Sequence, residues 1–136
     1  VSTFKYDSAK GEAKLLTVEK ALSEEVKAKE TFNSSAEILI HPNGKFVWSS
    51  NRGNDSITAY KADPATGKLT FTESEHIRGA WPRNINIDPS AKWILAAGQH
   101  SNTISVFQIN QESGELSYNR MNVVNVPGPL CIIFKK

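Results

Sequence analysis

The sequence SAEILIHPNGKF, at residues 35–46, returns 47 positions later and without a gap as PRNINIDPSAKW, at residues 82–93. The register persists downstream, where Ile57 and Ile104 are again 47 positions apart. A third copy begins at Pro129 by the same spacing. A fixed period of this size indicates a supersecondary unit that buries its apolar face by stacking on copies of itself.

Each copy is predicted to form four short strands. In the first copy these cover residues 36–41, 46–50, 56–62 and 69–76, where β-branched and aromatic residues alternate with polar ones. Turn-forming residues separate the strands, as HPNG at 41–44, NRGND at 51–55 and DPATG at 63–67. The fourth strand is the most polar, as expected of an outer edge that must discourage edge pairing. Four strands in about 40–50 residues are typical of a β-propeller blade.

The chain as a whole is predicted to be all-β and to contain about two and a half four-stranded propeller blades. Residues 1–18 supply two outer strands, 19–34 a connecting loop, 35–81 and 82–128 two full blades, and 129–136 the inner strand of a closing blade. The Lys/Glu/Ala run at residues 18–30 is read as a solvated excursion, with a short amphipathic helix as the alternative. Because a propeller needs about four blades to close, we expect either a fragment or a short chain that assembles with copies or a partner.

Composition restricts the partners and the compartment. The 16 basic and 14 acidic residues are mixed along the chain, so nucleic acid is not an expected partner. No signal peptide and no run of ~18 apolar residues is visible, so a membrane is not expected either. The single cysteine, Cys131, is predicted to be a small buried hydrophobe, which favours a reducing, cytoplasmic compartment. The three histidines are isolated in sequence, so neither a metal nor a cofactor is expected.

Several segments together resemble the lactonase family of seven-bladed propellers, which includes 6-phosphogluconolactonases and fungal carboxymuconate-lactonizing enzymes. They are HPNGKF at 41–46, SNRGNDSI at 50–57, TGKL at 66–69, PRN at 82–84, AAGQ at 96–99 and VPGPLCI at 126–132. The resemblance covers nearly the whole chain and corresponds to the C-terminal third of such a protein. It implies opening or closing of a lactone ring on a small anionic lactone, sugar-derived or muconate-like.

Arg52 is the leading candidate for a catalytic residue. It ends a predicted strand beside a glycine-containing loop, where a guanidinium would hold a carboxylate or phosphate in a bidentate fork. The resemblance implies the same role, since an arginine in this Ser-Asn-Arg-Gly motif lines the cleft of the lactonizing branch. The alternative is a surface arginine that pairs with a neighbouring loop.

Arg83, Gln99 and His100 are predicted to bind substrate. Arg83 opens an inner strand and would add positive potential to the central channel, although a structural hydrogen bond to an adjacent blade is the simpler interpretation. The family has a blade that reads Pro-Arg-His, with a glutamate in an Asn-Glu-Leu motif sixteen residues later. Here Asn84 and Gln99 take those places, so the proton-transferring His and Glu would lie on earlier blades. Residues 1–136 are therefore expected to be inactive alone.

The remaining candidates are assigned structural roles. His41 is expected to cap its turn, as Asp88 does in the second copy, and His76 to be solvated. Trp48 and Trp93 are expected in the core, which leaves Trp81 as the one plausible surface aromatic. Two other functions remain open: a muconate-type cycloisomerase and a propeller that binds without catalysis.

Overall fold

The computed structural model describes residues 1–135; Lys136, the last residue of the predicted closing strand, lies outside them. The described chain contains eleven strands and one helix, α1 (Glu24–Lys27). The strands are β1 (Ser2–Asp7), β2 (Glu12–Val18), β3 (Ser34–Ile40), β4 (Phe46–Arg52), β5 (Ser56–Ala62), β6 (Leu69–His76), β7 (Pro82–Ile87), β8 (Trp93–Gly98), β9 (Thr103–Ile109), β10 (Leu116–Tyr118) and β11 (Val124–Asn125).

The strands form three antiparallel sheets that follow chain order. β1 pairs with β2; β3, β4, β5 and β6 form the first complete blade; β7, β8, β9 and β10 form the second. The outer strand of the second blade is interrupted, since β10 and β11 both pair with β9 at different positions along it. The sheets confirm the predicted all-β propeller architecture, with β3 and β7 as the inner strands of their blades.

The core lies between the two complete blades. Its largest fully buried side chains include Trp48 from the first blade and Phe107 from the second. The Trp48 indole Nε1 donates a hydrogen bond to the Gly114 carbonyl oxygen at 2.9 Å. The indole N–H therefore has a hydrogen-bond partner although the ring is fully buried. The predicted core position of Trp48 is confirmed, whereas Trp93 is only partly buried.

The segment before β3 departs from a purely solvated excursion. Helix α1 is a single exposed turn, and the Ser23 hydroxyl accepts the Val26 amide at its N-terminus. The residues just before it are anchored to the first blade, because the Tyr60 hydroxyl donates to the Lys20 carbonyl oxygen at 2.9 Å. Leu22 is buried in the same region. The short helix considered as the alternative is thus present as a single turn, on a segment that the blade holds in place.

The C-terminal segment lies beside β7 without forming a strand among the described residues. The Ile132 amide donates to the Asn84 Oδ1, and the Ile132 carbonyl oxygen accepts from the Asn86 Nδ2, both at 2.8 Å. These side chains place the third copy of the repeat next to the second. Cys131 is exposed, so its predicted burial is wrong: the adjacent Ile132 is the residue that faces β7 and is buried.

An apolar cleft lies open between β1 and the first complete blade. It has a volume of about 430 Å³, and its lining includes Phe4, Ile38 and Ile40. These three side chains are more than half exposed, at 55%, 51% and 67%. A two-stranded sheet such as β1–β2 is marginal alone, so this face lacks a covering layer among residues 1–135. The one helix among the described residues, α1, is too short to span a bilayer.

Candidate functional site

One end of the two blades gathers the loops that carry the predicted site residues. The strands alternate in direction, so the β4–β5, β6–β7 and β8–β9 connections all emerge at this end. Arg52 ends β4, Trp81 precedes β7 and His100 follows β8. The loops contact one another directly, since the Ala80 amide donates to the Ser101 hydroxyl at 3.0 Å.

Arg52 is held by neutral oxygens of the first two residues of β3. Its Nη2 donates to the Ser34 hydroxyl at 2.9 Å and to the Ser35 carbonyl oxygen at 3.2 Å, and its Nε faces the Ser34 carbonyl oxygen at 3.4 Å. Both ion pairs found within residues 1–135, Lys29–Glu25 and Arg78–Glu75, lie elsewhere. The half-buried guanidinium is therefore not paired with any carboxylate among the described residues.

These hydrogen bonds bear on both interpretations of Arg52 made from the sequence. Ser34 is the last residue of the predicted connecting loop, so part of the predicted pairing with a neighbouring loop is present, through neutral oxygens. The guanidinium does not pair with a carboxylate of a neighbouring loop within the described chain. Its Nε–Nη2 edge, the usual bidentate fork, is occupied by Ser34 and Ser35. Nη1 makes no hydrogen bond with any described residue, so it is the nitrogen left to meet an anion.

An aromatic stack lies against Arg52. The Trp81 ring is stacked on His100, with centroids 4.8 Å apart and planes at 16°, and on Phe32 at 5.8 Å and 6°. The Arg52 Cζ atom lies 5.6 Å from the centroid of the Trp81 ring. A cation at this distance is attracted by the ring quadrupole. Trp81 thus joins two predicted site residues, Arg52 and His100, that have no direct hydrogen bond.

An Asp or Asn side chain holds the connection from one blade to the next, and it recurs in both repeats as Asp55 and Asn102. Asp55 has a left-handed backbone (φ 57°), and its carboxylate accepts the Trp81 amide at 2.8 Å. One repeat later Asn102 has the same φ of 57°, and its side chain accepts the Gly128 amide at 2.8 Å. Asp and Asn tolerate this conformation because their short side chains bond locally. The 47-residue spacing of these two residues was the available sequence signal.

Gln99 and His100 occupy the same loop with different exposure. Gln99 lies at the repeat position of Arg52. Its Oε1 is buried and has no hydrogen-bond partner among residues 1–135. A buried acceptor left without a donor costs about 1–3 kcal/mol. His100 is exposed, with its ring on Trp81.

Arg83 does not join this group. It is exposed at the start of β7, where the register of β7 against β8 shifts. Its side chain makes neither a hydrogen bond nor an ion pair with any residue between 1 and 135, so the structural hydrogen bond considered from the sequence is not observed. Its neighbour Asn84 instead links the inner strands, since the Asn84 Nδ2 donates to the Glu37 carboxylate at 2.7 Å. Sequence reasoning overlooked Glu37, which lies one repeat before Asn84.

The other two histidines have the structural roles expected of them. His41 is buried; its Nδ1 accepts the Asn43 amide at 3.1 Å, and its Nε2 donates to the Ala91 carbonyl oxygen at 3.1 Å. It therefore caps its own turn and links the two blades. His76 is exposed. Residues 1–135 contain no group of three or more His, Cys, Asp or Glu side chains arranged to hold a metal ion.

The family model described as "Lactonase, 7-bladed beta-propeller" matches residues 1–134. This chain belongs to the seven-bladed propeller lactonase family. A match over this length includes both complete blades, the β1–β2 pair and the loops that carry Arg52, Trp81 and His100.

Two named relatives of this lactonase-family chain are 6-phosphogluconolactonases. The protein of Bacillus subtilis (strain 168) is 29% identical over 135 residues, covering 98% of this chain and 37% of the relative. The protein of Formosa agariphila is 43% identical over 84 residues, covering 60% of this chain and 24% of the relative.

Solved structures show the same fold. A Lactobacillus plantarum protein superposes with a TM-score of 0.86 at 25% identity, over 96% of this chain and 37% of the other. A Bacteroides uniformis protein, crystallised as a candidate 6-phosphogluconolactonase, superposes with a TM-score of 0.82 at 32% identity, over 96% of this chain and 35% of the other. This lactonase-family chain thus spans little more than a third of the length of these proteins.

Proposed function

We propose that the protein containing these residues hydrolyses a small acidic lactone of the 6-phosphogluconolactone kind, and that Arg52 binds the anionic group of the substrate. The observation that carries this proposal is the state of Arg52. Its guanidinium is oriented by Ser34 and Ser35 yet neutralised by no described carboxylate. The names of the Bacillus and Formosa relatives support the choice of substrate class.

Hydrolysis of a lactone requires attack of water on the ring carbonyl carbon, a tetrahedral oxyanion, and cleavage of the ring C–O bond to give a hydroxy acid. The protein must therefore activate water, stabilise the oxyanion and hold the substrate. Arg52 offers one free nitrogen, Nη1, which serves one oxygen atom or one anionic group at a time. We assign it to the anionic group, which is charged throughout the reaction.

Proton transfer is proposed to come from elsewhere in the propeller. Gln99 occupies the position where a catalytic blade of the family would carry glutamate, and an amide side chain cannot transfer a proton as a carboxylate does. The imidazole brought to this group is that of His100, and its ring is stacked on Trp81 rather than hydrogen-bonded to Arg52. Residues 1–136 are therefore proposed to need the other blades for catalysis.

Those blades are also the proposed partner for the open apolar cleft. β1 and β2 pair only with each other, and the cleft beside β1 is lined by Phe4, Ile38 and Ile40. Two inner strands of the same blade would add to the free edge of the pair and cover these side chains. Burial of such a face supplies the main favourable free energy of propeller closure.

The test is the hydrolysis of 6-phosphogluconolactone by the native full-length polypeptide with Arg52→Ala. The KM should rise about tenfold or more, because one charge-assisted hydrogen bond to a phosphate is lost. Arg120→Ala is the matched control: it removes the same charge from an exposed residue whose side chain makes no hydrogen bond or ion pair with any described residue. Equal KM values for the two variants would remove Arg52 from the site.

A further inference from the structure

The backbone of Trp81 is strained. Its φ of +63° lies in the left-handed region, which bulky side chains rarely adopt. It also precedes Pro82, and the proline ring normally drives the preceding residue towards extended backbone. One repeat later the same position, again before a proline, is occupied by Gly128 with a φ of +52°. Glycine adopts this conformation without steric cost.

The strain is not required by the blade crossing itself. Gly128 makes the same hydrogen bond to Asn102 that Trp81 makes to Asp55, each at 2.8 Å. The left-handed backbone and its hydrogen bond therefore form with either tryptophan or glycine at this position. What Trp81 adds is its indole ring, and a residue kept in a costly conformation indicates a role for its side chain.

The Arg52 guanidinium lies over the ring of Trp81. Arg52 Cζ lies 5.6 Å from the Trp81 ring centroid, while Ser34 and Ser35 take the Nε–Nη2 edge of the guanidinium. An aromatic face attracts a cation without cancelling its charge, unlike a carboxylate. His100, stacked on the indole, in turn restricts the ring of Trp81. The guanidinium is thus held along its Nε–Nη2 edge by Ser34 and Ser35 and lies over the Trp81 ring, with Nη1 left unbonded within the described chain.

We propose that Trp81 is a positioning residue that orients Arg52 for the anionic group of the substrate, and that this role explains an indole where the repeat copy has glycine. The inference rests on the proposed function, since it needs Arg52 to bind that anion. It adds a residue from the next blade to the anion site: Arg52 belongs to β4 of the first blade, and Trp81 immediately precedes β7 of the second. The binding site therefore depends on the junction between the blades.

The experiment measures the Kd of 6-phosphogluconate, the hydrolysis product, by titration calorimetry on the native full-length polypeptide. The variants are Arg52→Ala, Trp81→Gly, Trp81→Phe and the double variant Arg52→Ala/Trp81→Gly. Trp81→Gly should weaken binding about tenfold, and Trp81→Phe, which keeps an aromatic face, much less. In the double variant the Kd should equal that of Arg52→Ala alone, because Trp81 acts through Arg52.

Ala91→Gly is the matched control for relief of backbone strain. Ala91 has a φ of +57° in the turn between β7 and β8, at the opposite end of the blade from Arg52. Its replacement should leave the Kd unchanged. Trp81→Gly substitutes the residue that the repeat copy already uses, so its backbone is compatible with the fold.

Two results would overturn the inference while leaving the proposed function intact. One is a Kd for Trp81→Gly equal to that of the unmodified protein while Arg52→Ala loses affinity. The other is an equal loss from Trp81→Gly with and without Arg52, which would show that Trp81 does not act through it. If Arg52→Ala binds as tightly as the unmodified protein, or the unmodified protein does not bind, the proposed function and the inference both fail.

Discussion

The Trp81 amide donates a 2.8 Å hydrogen bond to the Asp55 carboxylate, and this bond joins the β4–β5 loop to the crossing between blades. The Asp55 carbonyl oxygen also accepts the Ile77 amide, at 2.9 Å, near the start of the same crossing. One residue in left-handed conformation therefore holds both ends of a five-residue connection. It brings the aromatic ring of one blade to the arginine of the other.

Asp55→Ala should destabilise the protein by about 2 kcal/mol, because a left-handed alanine is strained and the Trp81 amide loses its acceptor. Asp55→Asn should cost far less, since Asn102 performs the same role with the same φ. Urea unfolding of both variants checks this. Similar losses for alanine and asparagine would mean that the carboxylate charge, rather than the hydrogen bond and backbone conformation, is what matters.

Gly114→Ala should destabilise the protein by about 2 kcal/mol or more, since strain and overpacking add. Gly114 has a φ of +77°, and a Cβ there would lie 2.5 Å from a ring atom of Phe46. Gly44 is the matched control: its φ is +73°, but a Cβ would meet nothing within 4 Å. Gly44→Ala should therefore cost only the backbone strain, about 1 kcal/mol. Thermal unfolding that ranks the two variants equally would argue against tight packing at the blade interface.

Glu73 should make stability fall as the pH rises. Burial raises the pKa of the Glu73 carboxyl, and the nearby Glu115 and Glu75 carboxylates add to the rise, while the hydrogen bond from the Leu116 amide opposes it. A carboxyl with a raised pKa in the folded state favours folding below its unfolded-state pKa. That contribution is lost as the pH rises through the folded-state pKa.

Glu73→Gln should therefore be more stable than the unmodified protein at neutral pH, and the difference should disappear in acid. The glutamine oxygen can still accept the Leu116 amide, so the interblade hydrogen bond is retained. Glu12→Gln, on an exposed strand residue, is the control for a change of net charge. The unfolding free energies of both proteins should be measured from acidic to neutral pH. A difference between Glu73→Gln and the unmodified protein that is the same at every pH would contradict the account.

The repeat made the two complete blades predictable, because a 47-residue period with strand alternation leaves few other architectures. The predicted strand at residues 56–62 matches β5, and that at 69–76 matches β6. The form of the outer strand of the second blade was harder to predict from the sequence, since residues 119–123 interrupt this strand between β10 and β11. An interruption of this kind shifts no downstream repeat position and so leaves no trace in the spacing.

The sequence offered candidate residues for the site but not the contacts between them. Arg52 and His100 were identified from local motifs, yet Trp81 joins them only because successive blades bring their loops to one end. The occupation of the Arg52 fork by Ser34 depends on a residue 18 positions upstream. Such long-range pairings are set by sheet register and by packing between blades, which no local pattern specifies.

The central claim is that Arg52 binds the anionic group of a lactone. Its most direct test compares kcat/KM for 6-phosphogluconolactone and for unphosphorylated gluconolactone, in the native full-length polypeptide and in Arg52→Ala. The account predicts a loss of about tenfold or more on the phosphorylated lactone and little change on the uncharged one. An equal loss on both lactones, or no loss on either, would contradict it.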